Sequence, residues 1–95
     1  MSVVQILIVD DSLSWQRFIQ NHLEAAPGPK VITVAADGSE GVQKANEIQP
    51  DVVLLDVSLP GMNGIEATRQ ILRVSPGSKL LFVSTLDETW IGTGP

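Results

Sequence analysis

Two short, almost wholly apolar runs, each ending in aspartate, constrain this chain most. Val3-Val4-Gln5-Ile6-Leu7-Ile8-Val9 leads into Asp10-Asp11, and Asp51-Val52-Val53-Leu54-Leu55 ends on Asp56. Neither run alternates apolar with polar residues, so each reads as a strand covered on both faces, as in a parallel sheet. The first is too short for a membrane span and meets acidic residues instead of a small-residue cleavage site. Residues 31–35 and 79–84 read as two further strands.

Three helical patterns separate the strands. In the first, Trp15, Phe18, Ile19, Leu23 and Ala26 share a face, and Pro27-Gly28-Pro29 stops the helix. In the second, Val42, Ala45 and Ile48 form a narrow stripe, with Asp37 or Ser39 as cap and Pro50 as stop. The third opens on Asn63-Gly64-Ile65-Glu66, in the manner of a capping box, turns Ile65, Thr68, Ile71 and Leu72 inward, and closes at Ser75-Pro76-Gly77. The order β-α-β-α-β-α-β predicts right-handed crossovers and an α/β fold with a doubly wound parallel sheet. Beyond Ser84 the pattern yields one helical turn around residues 87–91 and a linker-like Gly92-Thr93-Gly94-Pro95. The reading is therefore four strands and three helices, with no fifth βα unit, in a domain over residues 1–86 followed by a tail over 87–95.

Composition narrows the function classes. Six basic against eleven acidic residues give a net charge of −5, and no basic run occurs, which argues against general nucleic-acid binding by this segment. The absence of cysteine excludes disulfides, thiolate catalysis and cysteine-ligated zinc, and fits a soluble, cytoplasmic protein.

In a doubly wound sheet, ligands bind beyond the carboxyl ends of the strands, where strand order reverses. If the first and third strands are neighbours, Asp10, Asp11 and Asp56 meet at one edge. A single aspartate there would read as a helix cap, a role open to Asp11 or Ser12. Three together repel one another unless a cation neutralises them, and a hard divalent ion such as Mg²⁺ suits an all-oxygen site with few protein ligands. The glycine-containing loop Val57-Ser58-Leu59-Pro60-Gly61-Met62-Asn63-Gly64 can turn backbone groups toward a metal and an oxyanion. Ser84 ends the fourth strand at the same edge, where its hydroxyl could donate to a phosphoryl oxygen.

These residues resemble the receiver domain of two-component response regulators over roughly residues 4–86. The resemblance rests on Ile8-Val9-Asp10-Asp11, on Ala36-Asp37-Gly38-Ser39-Glu40-Gly41, and on Val53-Leu54-Leu55-Asp56 with the loop that follows. It implies a flavodoxin-like strand order of 2-1-3-4-5, for which this family is itself a standing example. It further implies that Asp56 takes a phosphoryl group from a phosphohistidine on a sensor histidine kinase or phosphotransfer protein. Asp11, Asp56 and the Ser58 carbonyl would ligate Mg²⁺, Asp10 would act through a bound water, and Ser84 would be the switch hydroxyl. Such a domain assists its own phosphorylation but is not an enzyme.

Full receivers carry a lysine after a fifth strand, and no residue here matches it. Lys79 opens the fourth strand, roughly 16 Å from Ser84 at about 3.3 Å per residue; Lys30 also precedes its strand, and Lys44 falls on the second helix. Metal binding is thus expected to survive better than phosphorylation, and a metal-binding scaffold that is not phosphorylated is a competing reading. An aspartate-nucleophile phosphatase is another, disfavoured because Ser58 stands where such enzymes resemble Asp-x-Asp. A flavin site is weaker still, since Asp10-Asp11 would repel its phosphate. The missing fifth strand also predicts a fragment that self-associates through the apolar edge Leu80-Leu81-Phe82-Val83. His22, Arg69 and Arg73 read as helix-surface residues, and Trp90 as a tail residue able to cover apolar sheet.

Overall fold

The computed structural model describes residues 3–56 and 64–83. Four strands, β1 (Val4–Val9), β2 (Lys30–Ala35), β3 (Val52–Asp56) and β4 (Lys79–Val83), alternate with three helices, α1 (Leu13–Ala25), α2 (Gly38–Ile48) and α3 (Gly64–Val74). All strand pairs are parallel, in the order β2-β1-β3-β4. The sheet is doubly wound, as the alternation of elements predicts, and its flavodoxin-like order is the one the resemblance implies.

Its two faces explain why β1 and β3 lack alternation. Leu7, Val9, Val53 and Leu55 point to one side, where they pack with Ala45 of α2 and Ala67 and Ile71 of α3. Ile6, Ile8 and Leu54 point to the other, against Ile19 of α1. Successive strand residues face opposite ways, so a strand covered twice must be apolar throughout.

Local chemistry fixes the helix ends. Ser12 caps α1 by accepting the Trp15 N–H, and Asp37 caps α2 by accepting the Glu40 N–H at 2.9 Å. Glu40 reaches back to accept the Ala36 N–H at 2.6 Å, a reciprocal closure close to a capping box. α2 lies so close to β1 that a Cβ on Gly41 would stand 2.9 Å from Val9 Cγ2. The helix ends at Gln49, whose backbone is left-handed at φ 50°. That residue is not glycine because its side chain is used: the amide donates to the carbonyl of Val74 at 2.8 Å, tying α2 to α3. At the amino edge of the sheet, Ser75 and Ser78 share a buried hydroxyl bond of 2.6 Å, and Ser78 donates to the Pro50 carbonyl at 2.5 Å.

Two apolar stripes differ from the sequence expectation. In α1 the buried residues are Gln16 and Ile19, whereas Phe18 is 49% exposed and Ala26 lies beyond the helix as its exposed C-cap. Phe18 stacks on Trp15 at 5.1 Å and against His22 at 4.4 Å, so it packs along its own helix instead of on the sheet. In α3 the inward residues are Ala67 and Ile71; Ile65 is 76% exposed and Leu72 is 39% exposed. Helical period is the reason: 67, 71 and 74 lie on one face, and Ile65 falls to its flank.

β4 has a strand neighbour on one side only among the described residues, and its Leu80, Leu81 and Phe82 are half-buried. On the α1 face, a cavity of about 340 Å³ opens between Trp15, Phe18, Ile19, Leu23, Leu54 and Leu81. Among the described residues, no helix is long and apolar enough to cross a membrane.

Candidate functional site

Register brings the acidic residues together. β1 pairs with β3 from Ile6–Val52 to Val9–Leu55, so Asp10 leaves the sheet level with Asp56. Asp56 in turn pairs with Val83, which sets the carboxyl end of β4 at the same edge. Asp10, Asp11 and Asp56 each offer a carboxylate oxygen, and these oxygens lie within 4.8 Å of one another. Asp10 and Asp56 are buried, at 1% and 0% exposure, while Asp11 is exposed.

Asp10 is held at three points. Its N–H extends the ladder by donating to the Ala35 carbonyl at 3.0 Å. Its Oδ1 accepts the Ser12 N–H at 2.8 Å, and its carbonyl accepts the side-chain amide of Gln16. Asp10 Oδ2 is buried with no donor among the described residues. Burial pushes the Asp10 carboxyl from its ordinary 3.8 to about 6; the Ser12 N–H opposes this, while repulsion from Asp56 and Asp11 and a hydrogen bond to Asp56 add to it. This edge of the sheet therefore holds negative charge at a cost that a bound cation would offset.

Ser12, and not Asp11, caps α1, which leaves the Asp11 carboxylate at the cluster. Lys79 pairs with Val52 and Lys30 with Val4, both at the opposite edge, and Lys30 Nζ is bonded to the carbonyls of Ala26 and Gly28 at 2.7 and 2.8 Å. Ser58, Ser84, the loop over 57–63 and the tail over 87–95 lie outside the described residues. Gln16 is the site neighbour that sequence reading passes over. Its one signal is a polar residue three positions before Ile19 on the buried stripe of α1. His22 is exposed and bonds the Phe18 carbonyl through Nδ1–H at 3.0 Å, and Arg69 pairs along its own helix with Glu66 at 4.0 Å, so both remain helix-surface residues.

Comparison with known proteins agrees with this geometry. The family model described as the response regulator receiver domain matches residues 6–91. A protein-glutamate methylesterase/protein-glutamine glutaminase of Thermotoga maritima is 38% identical over 86 residues, covering 90% of this chain and 25% of that protein. The response regulator GacA of Pseudomonas viridiflava is 40% identical over 86 residues, covering 90% of this chain and 40% of that protein. Among solved structures, the response regulator domain of Thermotoga maritima CheB superposes with a TM-score of 0.79 at 37% identity, over 92% of this chain and 64% of that domain. The chain thus spans a quarter to two fifths of these curated relatives. Fold and sequence agree: the chain belongs to the response regulator receiver domains of two-component signalling.

Proposed function

We propose that this domain is the phosphoacceptor of a two-component phosphorelay, taking a phosphoryl group onto Asp56 from a phosphohistidine of a sensor kinase or phosphotransfer protein. The observation that carries the reading is the convergence of Asp10, Asp11 and Asp56 within 4.8 Å at the carboxyl edge of the sheet. In the transfer, an Asp56 carboxylate oxygen bonds to phosphorus as the donor's N–P bond breaks. The bonding pair remains on the imidazole, and the product is an acyl phosphate. A carboxylate is a weak nucleophile, so positioning must supply much of the rate. Asp56 is fully buried as the last residue of a central strand, which limits the directions its side chain can take.

The residues fit Mg²⁺. The donor set is all hard oxygen, and Asp10 Oδ2 is a buried acceptor for which the described residues offer no donor. Asp11, Asp56 and the Ser58 carbonyl are the proposed direct ligands, with Asp10 holding a bound water. When bound, Mg²⁺ supplies charge neutralisation for the carboxylates and the incoming phosphoryl oxygens. The Ser84 hydroxyl is the proposed hydrogen-bond donor to the phosphoryl group after transfer.

One observation favours a second reading, a metal-binding receiver scaffold that is not phosphorylated. Lys30 and Lys79 lie at the far edge of the sheet, and Lys44 in the middle of α2, so no lysine of this chain is set beside Asp56 by its own element. Cytoplasmic residence is part of the proposal, as is self-association through the β4 edge, which is supported by its half-buried Leu80, Leu81 and Phe82.

The test is incubation with Mg²⁺ and a small acyl phosphate donor, followed by intact mass measurement. The phosphorelay reading expects a hydroxylamine-labile adduct that requires Mg²⁺ and is absent in Asp56→Asn. Saturable metal binding without an adduct selects the scaffold, and turnover of phosphate esters selects a phosphatase.

A further inference from the structure

We infer that Gln16 is a positioning residue of the acidic site: its side-chain amide holds the Asp10–Asp11 peptide, and so sets both carboxylates for a divalent cation. The inference rests on the metal reading above and names the group that prepares the site for it.

Gln16 is 8% exposed, and with Ile19 it makes up the buried part of α1. A buried amide without a partner costs stability, and this one finds its partner in the Asp10 carbonyl. A carbonyl only accepts, so the bond fixes which end of the Gln16 amide faces the site: Nε2 donates. The acceptor lies just past the last residue of β1, where pairing with β2 ends at Val9–Ala35. Sheet pairing satisfies the Asp10 N–H, and α1 satisfies the carbonyl.

The Asp10 carbonyl and the Asp11 N–H belong to one planar peptide. Rotation of that plane changes ψ of Asp10 and φ of Asp11 together, and so moves both carboxylates. The Ser12 N–H restrains the Asp10 side chain at Oδ1, and Gln16 restrains the peptide. With these bonds made, Oδ2 is the Asp10 oxygen left buried without a donor among the described residues. A residue fixed in this way acts on a cation from outside its ligand shell, and loss of such outer partners weakens metal affinity about 10–100-fold.

Gln16→Met keeps the length and burial of the side chain but removes the donor; Gln16→Leu is the second variant should it not fold. Ile19→Val is the control, since it loosens the same buried face of α1 without touching the Asp10 carbonyl. Calorimetric titration with Mg²⁺ is expected to give about 10–100-fold weaker binding for Gln16→Met and wild-type affinity for Ile19→Val. In metal-free protein, the Asp10 carbonyl carbon and Asp11 amide resonances are expected to shift in Gln16→Met and not in Ile19→Val. On the wild-type chain, the Gln16 side-chain amide resonances should move at the same Mg²⁺ concentrations as the Asp11 amide. Unchanged affinity in a folded Gln16→Met, or equal weakening in Ile19→Val, overturns the inference. Failure of the wild-type chain to bind Mg²⁺ overturns the metal reading instead, and the metal-free resonances still decide whether Gln16 holds the peptide.

Discussion

Asp10→Asn should make the metal-free domain more stable at neutral pH, although it alters the proposed site. The Asp10 carboxyl is pushed up from 3.8 to about 6, mainly by burial, in a residue only 1% exposed. At roughly 1.4 kcal/mol per pH unit, that rise makes ionised Asp10 a penalty of about 3 kcal/mol on the folded state. The sign follows from proton binding. Between pH 3.8 and about 6 the folded chain holds the Asp10 proton more tightly than the unfolded chain, so stability falls as pH rises through this window. The penalty is absent below it, about half developed at pH 5, and complete above pH 7. Asparagine carries no charge, keeps an oxygen for the Ser12 N–H, and offers an amide donor toward Asp56. Urea unfolding in chelator from pH 5 to 8 should therefore find Asp10→Asn more stable by up to about 3 kcal/mol at pH 7, with the gap halved at pH 5. Saturating Mg²⁺ should narrow the gap, because a ligand of the native state stabilises the wild-type chain more. A variant less stable than wild type at pH 7, or a difference that does not change with pH, would refute the charge-strain argument.

Three further perturbations probe the frame around the site. Gly41→Ala sets a methyl 2.9 Å from Val9 Cγ2, a stiff and fully buried side chain, and should cost about 1–3 kcal/mol in urea unfolding. Ser78→Ala removes the bonds to Ser75 and the Pro50 carbonyl and should cost about 1–3 kcal/mol, yet leave Mg²⁺ affinity unchanged because the network lies at the opposite edge of the sheet. Sedimentation velocity over rising concentration should reveal association that weakens in Leu81→Lys, since Leu81 lies in β4 and lines the α1-face cavity; a monomer at every concentration would contradict pairing through that edge.

The parts legible in the sequence were those whose physics is local or doubly constrained. β1 and β3 announce themselves because both of their faces are covered, and their shared register brings Asp10 and Asp56 to one edge. Asp37 was legible as one of two candidate caps, with Ser39, and the structure selects it: its side chain accepts the Glu40 N–H. The helix stripes were less legible. Phe18 has the right spacing for the core, but its α1 face looks onto a cavity and it stacks on Trp15 and His22 instead. In α3 the large Ile65 and Leu72 drew the stripe away from Ala67, whose small side chain gives little signal in sequence and sits fully buried. Gln16 gave only the weak signal of a polar residue on the buried stripe of α1, and its role was not legible. Its partner is a backbone carbonyl, and which carbonyl a strand end leaves unpaired depends on register, which no single residue encodes.

The measurement that bears most directly on the central claim is the identity of the phosphorylated residue. After incubation with Mg²⁺ and an acyl phosphate donor, borohydride reduction converts an aspartyl phosphate to homoserine, which peptide mass spectrometry locates. The account predicts homoserine at position 56 alone, dependent on Mg²⁺ and reduced in Asp11→Asn. Modification at position 10 or 11, or none at 56 while the folded chain binds Mg²⁺, would contradict it.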